Sequence, residues 1–120
     1  MQDSSTDTVW VGMDVHQDSI TAAILYGNDL EPRVERLPGD LNAVRRMFRR
    51  LSKHGTPRSC YEASGAGYVL QRCLEHDGFH CEVIAPSLVP RKPGDRRKTD
   101  RLDALHLAHH YRAGNLVPVT

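Results

Sequence analysis

The chain has 120 residues, 39% of them hydrophobic and 26% charged, the composition of one ordinary globular domain with a modest core. Its net charge of +1 excludes a whole-molecule field that would gather polyanions. The N-terminus, MQDSSTDTVW, lacks the basic and apolar regions of a signal peptide, and no stretch approaches the ~18 apolar residues of a membrane helix.

In chain order, residues 1–7 are polar and expected to be disordered, leaving 8–120 as the folded domain. Thr8–Val15, TVWVGMDV, is nearly all apolar and rich in valine, the pattern of a strand buried on both faces. Ser19–Tyr26, SITAAILY, predicts a second strand. Only His16, Gln17 and Asp18 separate the two, so an antiparallel hairpin is expected. Glu31–Leu37 predicts a weaker, charged edge strand. Asp40 is placed to cap a helix whose apolar stripe is Leu41, Val44, Met47, Phe48 and Leu51, with Gly55 and Pro57 as its stop. Arg58–Ala63 predicts a short strand. Ala66–Asp77 predicts a helix with Val69, Leu70, Cys73 and Leu74 inward and Gly78 just past its end. Phe79–Ala85 predicts another strand, and Pro86–Lys98, with three prolines and no periodicity, a loop. Asp100–Ala113 predicts the last helix, ended by Gly114. Three meander strands followed by strand–helix units imply an α/β fold, a mixed five-stranded sheet with helices on both faces. The first strand should be central, with residues 58–63 parallel beside it.

The carboxylates carry the functional signal. Asp14 shares a strand face with Trp10 and Gly12, and a lone carboxylate on a buried strand is costly unless it is paired or binds metal. Glu62 ends its own strand in the same way. In open α/β sheets, sites lie at the carboxyl ends of central strands, and neighbouring strands are ~4.8 Å apart. Asp14 and Glu62 could therefore share one divalent ion. Asp100 and Asp103, at i and i+3 of a helix, could supply a second pair of ligands to the same place. Oxygen-only ligands favour Mg²⁺ or Mn²⁺ over zinc. Each residue also has a structural reading: Asp14 paired with an arginine, Glu62 at a loop edge, Asp100 as a helix cap with Asp103 in the first turn.

Residues 91–101 hold Arg91, Lys92, Arg96, Arg97, Lys98 and Arg101 against two aspartates, a local balance of +4 on an otherwise slightly acidic chain. That segment is either a solvated loop or a contact for nucleic-acid phosphates. His106 and His110 have zinc-like i, i+4 spacing, but without the glutamate of H-E-x-x-H they read as surface histidines. Cys60, Cys73 and Cys81 show no C-x-x-C spacing and read as reduced core thiols of a cytosolic protein.

The stretches VGMDVHQDSI, CYEASGAGY and RKPGDRRKTDRLDALHLA resemble, in order, the signature blocks of the DEDD-type insertion-sequence transposases, the group that includes the Piv invertase. The K-T-D-x-x-D-A block is the most specific of the three. The resemblance implies a ribonuclease H-like, RuvC-like domain. It implies that Asp14, Glu62, Asp100 and Asp103 are catalytic and bind Mg²⁺ (or Mn²⁺) for DNA strand cleavage and exchange in a prokaryotic cytoplasm. It also implies a second, C-terminal domain bearing a serine, beyond Thr120, together with DNA, a structured guide RNA and self-association as partners of the full-length protein. A domain of this kind that binds nucleic acid without chemistry, or a truncated remnant, is the alternative expectation.

Overall fold

The hairpin expected from two apolar runs three residues apart is present, and its two strands have the predicted bounds. The computed structural model describes residues 7–27, 29, 31–63, 67–86 and 96–119, and of residues 96–99 the backbone alone. Strand β1 (Thr8–Val15) pairs antiparallel with β2 (Ser19–Tyr26), and the His16 amide donates to the Ser19 carbonyl (2.9 Å) to close the turn. Strand β3 (Arg33–Pro38) continues the meander as the charged edge, starting two residues later than Glu31. On the other side of β1 lies β4 (Thr56–Glu62), parallel to it, and then β5 (His80–Ile84), parallel to β4. The sheet order is β3-β2-β1-β4-β5, so β1 is central as expected. Asp7, expected to belong to the polar N-terminal tail, accepts from the Thr56 amide through its backbone carbonyl (2.9 Å). Residues 1–6 lie outside the described residues.

Alternation along β1 divides the core between the two faces of the sheet. Val9, Val11 and Met13 point to one face and pack with helix α1 (Leu41–Leu51) and helix α2 (Val69–His76). Asp40 caps α1 as predicted, its carboxylate accepting from the Asn42 amide (2.9 Å). Val44, Met47, Phe48 and Leu51 are its buried stripe, and Ala43 joins them. In α2 only Leu70 and Leu74 are buried. Val69, expected inward, is 59% exposed, and Cys73 is half-buried. The physical reason is a late start. Gly67 takes a positive φ of 68°, so the helix opens at Val69 and Val69 sits in its solvent-facing first turn.

The opposite face belongs to helix α3 (Arg96–Ala113). Ala104 and Ala108 pack on Ala23 and Leu25, and Leu107 and Tyr111 pack on Cys60 and Ile84. Trp10 meets Tyr111 edge-to-face, with centroids 5.4 Å apart. The helix starts at Arg96 and not at Asp100, because RRKT, although charged, consists mainly of good helix formers. Asp100 is therefore not a cap; it lies a full turn inside the helix and is buried. Of the expected loop, residues 87–95 lie outside the described residues. After Gly114 (φ 76°) the chain returns along β5, where the Val119 amide donates to the Val83 carbonyl (2.8 Å) and the Ala85 amide to the Val117 carbonyl (2.9 Å). This tail covers the edge that β5 would otherwise expose. The whole is a ribonuclease H-like arrangement, a five-stranded mixed sheet flanked by three helices.

Candidate metal centre

One rung of the sheet, read across the strands, carries most of the site. Arg36 of β3 stands opposite Thr21 of β2, and Thr21 stands opposite Asp14 of β1. Met13 pairs with Tyr61 in the parallel ladder, so continuing that register by one residue sets Glu62 beside Asp14; Glu62 pairs in turn with Ile84. Residues on one rung share a face. The face here is that of α3, because Gly12, two residues before Asp14, lies directly against Ala104, Leu107 and Ala108.

Helix α3 lowers its own carboxylates onto this rung. Asp100, Ala104, Leu107 and Tyr111 follow a helical period and are all buried, and Asp103 lies half-buried on the same side. Asp14 and Asp100 converge on a third residue, His16, which by the period of two lies on the Asp14 face just past the end of β1. His16 Nε2 is 3.2 Å from Asp14 Oδ2 and 2.9 Å from Asp100 Oδ1. Donor atoms of the three residues all lie within 4.8 Å of one another. Glu62 and Asp103 border this trio without belonging to it.

The electrostatics of the site centre on Asp100 and Asp14. The Asp100 side chain is 3% exposed, and its Oδ2 accepts no hydrogen bond from the described residues. Among the described residues, the cation nearest that oxygen is the half-exposed Arg36 guanidinium at 3.8 Å, too far for a hydrogen bond. Thr21, 3% exposed on the same rung, also has a hydroxyl without a hydrogen-bond partner among the described residues. Burial, reinforced by the Asp100 carboxylate and opposed by His16, pushes Asp14 up from 3.8 to about 6. Clustered, buried carboxylates with an unfilled oxygen suit a hard divalent cation, so the donor set fits Mg²⁺ or Mn²⁺.

Residues 11–120 match the DEDD transposase family of the IS110 type, described as transposase. The chain belongs to that family. It is 41% identical over 115 residues to y4qE of Sinorhizobium fredii, assigned as a transposase, and 35% identical over 107 residues to the transposase for insertion sequence element IS1533 of Leptospira borgpetersenii. The matches cover 92% and 88% of this chain but 29% and 31% of the two relatives, so the chain spans about a third of their length.

Of the four acidic residues expected to act together, Asp14 lies in β1, Glu62 ends β4, and Asp100 and Asp103 lie in the first half of α3. Two of them, Asp14 and Asp100, are brought into one cluster, and Glu62 and Asp103 flank it. His16, Thr21 and Arg36 are additions that the sequence pattern does not single out. Asp14-Val15-His16 carries a readable signal, since i and i+2 at a strand end share a face. Thr21 and Arg36 are visible only once the strand registers are known. Of the basic residues, Arg91 and Lys92 lie outside the described residues, Arg96, Arg97 and Lys98 are in the opening of α3, and Arg101 is exposed one position after Asp100. His106, His109 and His110 are exposed, as expected of a solvent face, and His106 stacks edge-on with His110. Cys60 and Cys81 are buried core thiols, and burial pushes Cys81 up to about 12, which removes it from thiolate chemistry. No helix among the described residues is long and apolar enough to cross a membrane.

A pH dependence follows from Asp14. Its folded value lies above its ordinary one, so the folded state holds this proton more tightly than the unfolded chain does. The contribution favours folding below pH ~4 and is lost as pH rises from about 4 to about 6. Metal-free thermal melts should therefore show wild type losing on the order of 1–3 kcal/mol relative to Asp14→Asn across that window. Parallel pH profiles for the two proteins would rule out a raised Asp14 pKa.

Proposed function

We propose that this chain is the metal-dependent catalytic domain of a DNA transposase, acting in strand cleavage and exchange. The observation that carries the reading is the convergence of Asp14 and Asp100 at the carboxyl end of the central strand, with a buried Asp100 oxygen that accepts nothing from the described residues. Asp14 and Asp100 would hold a divalent cation, Mg²⁺ or Mn²⁺, with Glu62 and Asp103 beside them as further ligands. Bound there, such an ion supplies an activated oxygen nucleophile and charge stabilisation for phosphodiester chemistry.

The chain's own residues divide the remaining work. The sheet rung fixes Asp14 and Glu62, and α3 fixes Asp100 and Asp103. Arg91, Lys92, Arg96, Arg97, Lys98 and Arg101 lead into and through the start of α3, and they would draw DNA phosphates towards the carboxylates. The finer parts of the reading, a structured guide RNA that selects DNA and self-association of the longer protein, rest on family resemblance.

The test is cleavage of branched DNA with Mg²⁺ or Mn²⁺, by this chain joined to the remaining length of a relative. Asp103→Ala should lower the rate by roughly 10²–10³-fold, the usual scale for losing charge stabilisation at a reacting phosphate or carbonyl. Cleavage that survives Asp103→Ala and Asp14→Ala unchanged would sink the proposal. DNA binding without cleavage in the intact protein would leave a nucleic-acid-binding module in its place.

A further inference from the structure

We infer that His16 is a nitrogen ligand of the cation held by this site, which is therefore a mixed Asp14–His16–Asp100 centre selective for Mn²⁺ over Mg²⁺. The inference rests on the metal-dependent reading above and adds a residue and a metal preference to it.

The first observation is where the ring nitrogen lies. A single atom, His16 Nε2, is within 3.2 Å of one carboxylate and 2.9 Å of another that comes from a helix 84 residues away. A set of donor atoms that all lie within 4.8 Å of one another is compact enough for one ion to touch every member. No other histidine of the described residues belongs to that set.

The second observation is that the backbone carrying the ring is fixed by the hairpin. The His16 amide closes the β1–β2 turn on the Ser19 carbonyl (2.9 Å), and Asp14 is anchored in register with Thr21 across the same hairpin. The imidazole is 26% exposed and so is partly withdrawn from water. A ligand presented by a tight hairpin needs little reorganisation to bind, which is the preorganisation expected of a binding residue.

The third observation is independent of His16. Asp100 Oδ2 and the Thr21 hydroxyl are buried polar atoms that accept or donate nothing among the described residues, and both lie on the floor of the same site. Two such atoms beside a compact donor set point to a missing polar partner at this spot, since buried polar groups are otherwise satisfied.

The metal preference follows from the donors. Mg²⁺ takes oxygen almost exclusively and gives up water reluctantly, whereas imidazole is a good ligand for first-row transition ions. One imidazole among carboxylates therefore shifts affinity towards Mn²⁺ without excluding Mg²⁺.

The experiment loads this chain with Mn²⁺ and reads electron spin-echo envelope modulation together with calorimetric affinities for Mn²⁺ and Mg²⁺. Wild type should show nitrogen hyperfine coupling on bound Mn²⁺. His16→Ala should abolish that coupling and reduce the Mn²⁺-over-Mg²⁺ preference by roughly tenfold, the lower end of the loss typical for residues supporting a metal site. His16→Gln keeps a hydrogen-bond donor against both carboxylates but no ligating ring nitrogen; it should fold as wild type does and still lose the coupling. Mn²⁺ that binds at Asp14 and Asp100 without nitrogen coupling overturns the His16 assignment and leaves the metal reading standing. Failure of wild type to bind Mn²⁺ at all overturns both.

Discussion

Gly12→Ala is expected to push helix α3 off the sheet and destroy the metal centre, although residue 12 is itself no ligand. A β-carbon at this position would clash with the backbone nitrogen of Ala108 and would lie 2.7 Å from the Ala104 carbonyl oxygen and 2.8 Å from the Leu107 β-carbon. Two of those three neighbours are backbone atoms, which cannot rotate aside, so the helix has to move as a body. The contacts that seat it are short side chains, Ala104 and Ala108 on Ala23 and Leu25, and they cannot stretch to follow. Overpacking of this kind typically costs about 1–3 kcal/mol, and a backbone clash belongs at the upper end. Function suffers more than stability does. Asp100 lies on the same rigid helix, about two turns from Ala108, so any outward shift separates it from Asp14 and His16. Gly78→Ala is the control: Gly78 has a positive φ of 88° and open space where a β-carbon would stand, with nothing within 4 Å. It should cost stability through strain alone and leave metal binding intact. Thermal melts and Mn²⁺ calorimetry on both variants check this. A Gly12→Ala protein that binds Mn²⁺ with wild-type affinity would show that α3 is not seated by that glycine.

The sequence announces the central hairpin because both of its strands are apolar runs bounded by polar residues, and hydrophobic periodicity is the strongest local signal. It announces Asp14 for the same reason, as a charge in a run that has no business carrying one. The start of α3 is hidden because Arg96–Thr99 has no apolar residue to reveal a period, and a nearby proline-rich stretch suggests a loop. The difference matters for the site. As a helix cap, Asp100 would belong at a solvent-facing terminus, whereas one turn inside the helix it is driven against the sheet and buried. His16 reads locally as a hairpin spacer, a fair description that says nothing of a partner 84 residues away. Arg36 and Thr21 depend on register across three strands, and register is a property of the whole sheet. The elements and half of the site are thus legible from local pattern. The remainder requires knowing which rung meets which turn of α3.

Asp100→Asn should make the metal-free domain more stable while removing its metal site. In the wild type, two carboxylates with side chains 12% and 3% exposed are held within reach of the same imidazole nitrogen. Burial, with their mutual repulsion added to it, is what raises Asp14 to about 6. An amide of the same shape removes one charge, and its oxygen still accepts from His16 Nε2. The expected gain at neutral pH without metal is about 1–2 kcal/mol, the scale on which functional sites trade stability for activity. The gain should shrink as pH falls below about 6, because protonating Asp14 relieves the same repulsion in the wild type. Adding Mn²⁺ should reverse the order. A ligand at 100 times its dissociation constant stabilises the folded state by about 2.7 kcal/mol, and only the wild type can collect that contribution. The melting curves of the two proteins, with and without Mn²⁺ at about pH 7.5 and again at about pH 5, contain the whole prediction. If wild type is the more stable of the pair in the absence of metal at neutral pH, the carboxylates are not in conflict, and the physical case for a cation between them fails.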